Sequence, residues 1–219
     1  MSKGEIRKFE RLLLEQASKS QSINILEWGS GGSTVYFTDF LNKQGINYSW
    51  TSIEYNKRWY ETVKEKVAGN SKINLVLFDS GNDKLKQDDT DMSEYVNYPK
   101  TLNTKIDLIF VDGRKRRSCL LTAREALNPT GVTILHDAER RYYHCALKKY
   151  PRSRFTGVKM WIGRLEQADN WTRLIDKLSW IINRLNYYVW FGAWIYLKPR
   201  LASNFPVLLK IKKAIFGSK

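Results

Sequence analysis

Cysteine is scarce. Cys119 and Cys145 are the only two among 219 residues, and their spacing matches no metal motif. That excludes a disulfide scaffold and a cysteine-built zinc centre, and it fits a reducing compartment. The opening residues, MSKGEIRKFERLLLEQ, lack the apolar run of a signal peptide, so the expectation is a cytoplasmic protein. An uncharged apolar stretch of about 20 residues, which a membrane-spanning helix needs, is also missing. The run YYVWFGAWIYL at 187–197 is too short, and Arg184 interrupts its extension. No internal repeat or low-complexity tract is visible. Acids are few as well: 22 Asp and Glu face 37 Lys and Arg, a formal charge of +15.

A hydrophobic content of 42% with 27% charged residues supports a folded core and argues against disorder. The basic excess is uneven. From Trp171 onward there are nine Lys or Arg and one acid, Asp176. Two units follow: a domain at 1–169 and a basic, aromatic helical extension at 170–219.

Periodicity predicts strands at 22–26, 46–56, 73–79, 105–113 and 132–138, with helices at 5–18, 34–42, 57–68 and 114–127 between them. Gly69 marks a helix end, and the NPTG turn at 128–131 stops the 114–127 helix. A short helix is expected up to Tyr150, one or two closing strands in 154–166, and a loop over 80–100. Strands alternating with helices imply parallel βαβ units with right-handed crossovers. The fold class is therefore α/β: a Rossmann-like, doubly wound, mostly parallel sheet of the seven-stranded type.

Each predicted strand ends in a polar group: Glu27 with glycines, Glu54, Asp79, Asp112, then His136 with Asp137. Ligands of open α/β sheets bind outside these carboxyl ends. The first turn reads Gly29-Ser30-Gly31-Gly32-Ser33-Thr34. A dinucleotide fingerprint requires a third glycine where Thr34 stands. Glu27 before the turn suits an ammonium group better than a pyrophosphate. Glu54 is placed to accept both hydroxyls of a ribose. A nucleoside with a cationic amino-acid arm meets both conditions.

On LEWGSGGS, IEYN, LFDS, DLIFVDGR and ILHDAER, the chain resembles the class I S-adenosylmethionine-dependent methyltransferases over 22–164. Among them it is most similar to small-molecule and sugar O-methyltransferases. That resemblance implies that Glu27, Gly29, Ser30, Gly31 and Ser33 hold the methionine arm of S-adenosylmethionine. Glu54 would bind the ribose, Asp79 and Ser80 would lie near the adenine, and Asp112 would border the same cleft. In some relatives, acids after the fourth and fifth strands bind a divalent metal, and Asp112 and Asp137 match those positions. The customary third ligand is replaced by Ala138. Without a metal, His136 or Asp137 would be the general base, which makes Asp137, His136 and Asp112 the candidate catalytic set. His136 also has a plainer reading as a core histidine bonded to backbone, and His144 reads as a helix-surface residue. Arg114 and Arg140 are the candidates for gripping an anionic small-molecule, sugar or glycan acceptor. Lys115, Arg116 and Arg117 read as surface.

In the extension, Trp171, Leu174, Leu178, Ile182, Leu185 and Val189 recur at helical steps. Pro199 is expected to break the helix. Two partners suit such a segment: an anionic membrane surface met peripherally through 171–219, or the catalytic domain or a second copy. The overall charge keeps open a different class, an RNA or nucleic-acid methyltransferase or a basic nucleic-acid-binding protein with a retained cofactor fold. VDGR stands where base N-methyltransferases resemble one another in an NPPY-like motif, which disfavours flipped-base chemistry.

Overall fold

The computed structural model of the chain describes residues 1–79 and 91–203, with the backbone alone for 190–203. Seven strands form one sheet: β1 (Ile23–Trp28), β2 (Tyr48–Glu54), β3 (Ile73–Leu77), β4 (Ile106–Val111), β5 (Leu127–Leu135), β6 (Arg152–Phe155) and β7 (Trp161–Arg164). Their order is β3-β2-β1-β4-β5-β7-β6. β1 to β5 are parallel, and β7 pairs antiparallel with both β5 and β6. The doubly wound expectation holds, and the 154–166 region supplies all of β7 and half of β6.

The strands are apolar on both faces because helices cover both. On β4, Leu108 and Phe110 join Phe9 and Leu13 of α1 (Lys3–Ala17) and Phe37 and Leu41 of α2 (Gly32–Lys43). Ile109 and Val111 point the other way, toward Cys119, Leu120 and Ala123 of α5 (Arg116–Ala126). The two-residue period of a pleated strand divides one apolar run between two cores. α3 (Lys57–Lys66) follows β2. Asn56 caps it, its side chain accepting from the Trp59 amide at 2.8 Å.

Four expectations need correction. Within the region read as a loop, Ser93–Asn97 forms α4, a single turn that buries Tyr95 and Val96; five residues are too few to show a helical period. The NPTG segment does not precede the next strand but interrupts its pairing: β5 begins at Leu127, and residues 128–131 bulge out between the Leu127–Ile106 and Val132–Leu108 pairs with β4. A Cβ on Gly131 would lie 2.9 Å from the Asp107 carbonyl oxygen, so the bulge requires glycine. Finally, Pro199 does not end the last helix. After α6 (His144–Leu147), α7 runs Asn170–Ser203. A proline removes one backbone donor, a loss that the turns on either side absorb here. His144 is also not a plain surface residue: its ring packs at 5.6 and 5.1 Å from those of Phe155 and Trp180.

Candidate functional site

The carboxyl ends of β1, β2 and β4 open into a cleft of about 820 Å³ lined by Gly29–Ser33, Glu54–Asn56, Trp59 and Asp112–Arg114, with Met1, Ile6, Tyr36, Phe37 and Arg116. The floor is a backbone contact. Gly29 has φ +95°, and a Cβ there would lie 2.8 Å from Gly113 Cα. Gly113 is closed in equally, since its own Cβ would strike the Tyr95 hydroxyl. Two glycines thus bring the β1 and β4 loops together with no side chain between them.

Glu27 lies beneath this loop and outside the cleft lining, fully buried. Its carboxylate accepts from the Ser33 hydroxyl, from Thr34 Oγ1 at 2.6 Å, Ser52 Oγ at 2.8 Å and Trp50 Nε1 at 3.1 Å. Burial pushes its pKa up to about 7 against those four donors. What the geometry gives Glu27 is the shape of the turn, including the start of α2, whose Thr34 hydroxyl also accepts from the Gly31 amide at 2.9 Å. Ser33 and the backbone of Gly29 to Gly31 face the cleft.

Glu54 ends β2 on the opposite wall. Its Oε1 accepts from the Tyr55 and Asn56 amides, each at 2.9 Å, and its Oε2 from Ser30 Oγ at 3.2 Å. Burial raises its pKa, opposed by the two amides and Ser30. Asp79 sits apart: its half-exposed carboxylate is 3.8 Å from Lys57 Nζ and does not line the cleft. Ser80 lies outside the described residues.

At β4 and β5 the structure joins residues that are far apart in sequence. His136 Nδ1 lies 3.2 Å from Asp112 Oδ1 and 3.7 Å from Asp137 Oδ1. Asp137 adopts a left-handed backbone, φ +52°, uncommon for a non-glycine residue. The hydrogen bond with Asp112 holds the imidazole pKa above its ordinary value, against burial. His136 Nε2 is buried without a hydrogen-bond partner, 4.0 Å from Glu5 Oε2. The residue helps to line a second cavity of about 680 Å³, with Met1, Ser2, Gly4, Glu5 and Thr156–Lys159. Met1 lines both cavities.

Arg116, read from sequence as surface, is the centre of this cluster. Its guanidinium donates to the carbonyls of Gly113 (2.9 Å), His136 (2.7 Å) and Asp112 (2.8 Å). It also contacts Asp112 Oδ1 at 2.9 Å and Asp137 Oδ2 at 3.4 Å. The signal was the four-residue step from Asp112, hidden in a run of four cations. A divalent ion does not fit this set. Donor atoms of Asp112, His136 and Asp137 do lie within 4.8 Å of one another, but a dication would have to share both carboxylates with a fixed guanidinium. Arg114 stands on the cleft wall, its Nε donating to the Tyr55 hydroxyl at 2.9 Å. Arg140 is more exposed, 3.4 Å from Asp137, and lines neither cavity. Sequence reasoning also missed Trp59, whose Nε1 donates to the Ser30 carbonyl at 2.5 Å across the cleft edge.

No protein-family model and no curated protein matches the sequence. Solved structures do. A methyltransferase-like protein from Silicibacter pomeroyi aligns over 80% of this chain and 92% of its own, with 21% identity and TM-score 0.57. An O-methyltransferase from Bacillus cereus, in complex with SAH, aligns over 74% and 80% with 15% identity and TM-score 0.55. Human methyltransferase-like protein 13, also with SAH, aligns over 78% and 89% with 14% identity and TM-score 0.52. The chain has the class I S-adenosylmethionine-dependent methyltransferase fold.

Proposed function

We propose that this chain is an S-adenosylmethionine-dependent methyltransferase whose acceptor is a hydroxyl of a small molecule or glycan. The observation that carries the reading is one juxtaposition. A cleft with a bare glycine floor and a buried carboxylate wall adjoins a second cavity, and His136, whose Nε2 has no hydrogen-bond partner, is part of that cavity's lining.

The residues fit the cofactor. The Gly29–Gly113 contact leaves backbone exposed for close approach. Glu54 keeps one lone pair, on Oε2, for a ribose hydroxyl after taking its three protein donors, and the Ser30 hydroxyl would have to turn away to admit a second. S-adenosylmethionine, when bound, supplies an electrophilic methyl group. The protein must then orient a hydroxyl and remove its proton. His136 Nε2 would accept that proton in the second cavity. Asp112 would fix the tautomer through Nδ1 and stabilise the imidazolium, the role of the carboxylate in other His–Asp pairs. Arg116 would hold both carboxylates in place, and Arg114 would attract an anionic group on the acceptor. No metal takes part in this scheme.

The reading is tested by calorimetry with S-adenosylmethionine and by transfer of labelled methyl groups to fractionated glycan, small-molecule and RNA acceptors. Glu54→Gln removes a charge while keeping the shape, and should weaken cofactor binding about tenfold. Binding unchanged in that variant would argue strongly against the assignment of the cleft, and labelling of RNA alone would replace the acceptor class.

A further inference from the structure

α7 is amphipathic the wrong way round for a helix that closes a domain. It packs on β6 and the loop after it through one aromatic ring and several polar groups: the Trp180 ring meets that of Phe155 at 4.9 Å and its Nε1 donates to the Ser153 carbonyl at 2.8 Å, Ser179 Oγ accepts from the Phe155 amide at 3.1 Å, and Asn183 Nδ2 donates to the Val158 carbonyl at 3.0 Å. Asp176 and Asn183 are 8% and 2% exposed. The apolar stripe points outward. Trp171, Leu178, Ile182, Leu185 and Val189 are 73, 46, 56, 58 and 71% exposed. At 3.6 residues per turn these positions, with Leu174, Ile175 and Ile181, fill an arc of about 120°. Arg173, Lys177 and Arg184 flank one side of it, and Arg141 lies 5.0 and 4.8 Å from the Tyr187 and Tyr188 ring centres beside them. A contiguous exposed stripe of this size marks an interaction surface.

We propose that this face of α7 lies in the surface of a bilayer bearing anionic headgroups. The charge selects the occupant. A second copy docking stripe to stripe would bring no acid to Arg173, Lys177 and Arg184, since Asp176 is turned inward. Residues 190–219 could not neutralise them either, since that sequence has six Lys or Arg and no acid. The missing partner must be apolar and anionic together, which an acidic lipid surface provides. Among the described residues no helix is long and apolar enough to cross a membrane, so the helix would lie along the surface. The proposal does not depend on the methyltransferase reading.

Flotation of the full chain with vesicles of phosphatidylcholine, alone or mixed with phosphatidylglycerol, tests it. Recovery with the anionic vesicles should exceed that with neutral ones by about tenfold or more, and should fall as salt is added. Leu185→Glu with Val189→Glu alters exposed positions that stand clear of the groove between α7 and β6. It should cut flotation about tenfold or more while leaving the thermal midpoint unchanged. Absence of flotation on anionic vesicles overturns the proposal, as does undiminished flotation of a folded double variant. A wild-type dimer in lipid-free light scattering that the double variant dissociates overturns it in favour of a second copy.

Discussion

At the ends of β1 and β2 the carboxylates are surrounded by neutral donors, whereas at the ends of β4 and β5 they are surrounded by cations. Glu27 and Glu54 are buried and meet only hydroxyls, an indole and backbone amides. Asp112 and Asp137 are partly exposed and meet Arg116, Arg140 and His136. A carboxylate among neutral dipoles keeps its charge uncompensated, so it favours hydroxyl donors or a cationic ligand and its pKa climbs. A carboxylate inside an ion cluster is balanced already, and such a cluster can shift a proton internally without importing charge. One half of the rim is suited to binding and the other to acid–base work.

The largest test of this division is His136→Ala. If proton removal belongs to the second half alone, methyl transfer should fall by about 10²- to 10⁴-fold, while S-adenosylmethionine affinity measured by calorimetry stays near wild type. A comparable loss of cofactor affinity would mean that the two halves are not separate. Asp112→Asn sharpens the point through pH. Asp112 raises the His136 pKa, and the base must be neutral to act, so the variant's activity should switch on at lower pH than the wild type's. A profile displaced to higher pH would remove Asp112 from this role.

Arg116→Met comes next. It strips the donor from three carbonyls and leaves Asp112 and Asp137 as unneutralised neighbours, which should cost about 3 kcal/mol in denaturant unfolding. If the guanidinium takes the place a dication would need, magnesium should stabilise this variant and not the wild type, and chelators should leave wild-type turnover unchanged. Magnesium stabilisation of the wild type alone would show the opposite arrangement.

The sequence displays this division unevenly. The neutral half was readable, because a glycine turn after an apolar strand and an acid at the end of the next are local patterns. Glu54 stands where they placed it. The position of Glu27 at the turn was legible, but not its enclosure from beneath by Trp50, Ser52 and Thr34, since those contacts come from β2 and α2. In the charged half, Asp112, His136 and Asp137 were visible as strand-end residues. Arg116 was not, because four adjacent cations look alike until the turn into α5 decides which one points inward. α7 was legible as an amphipathic helix, but its orientation was not. Periodicity marks an apolar face, and only packing shows that the polar face is the one buried.

The smallest expected effect separates the halves by pH. Glu27 ionises at about 7 in the folded chain, above the ordinary carboxylate value of about 4.3 that holds when the chain is unfolded. The folded state therefore holds the proton more tightly. Its stabilising contribution is complete below the unfolded value and fades as pH rises through about 7. Glu27→Gln should remove that slope without breaking the turn. The amide oxygen can take the Thr34, Ser52 and Trp50 donors, and the amide nitrogen can donate to the Ser33 hydroxyl, which rotates to accept. Between pH 5 and pH 8 the wild type should lose roughly 2–3 kcal/mol relative to the variant in urea unfolding. Parallel curves for wild type and variant would mean that the four neutral donors stabilise a charged Glu27 after all, and the contrast between the two halves of the rim would then rest on their ligands alone.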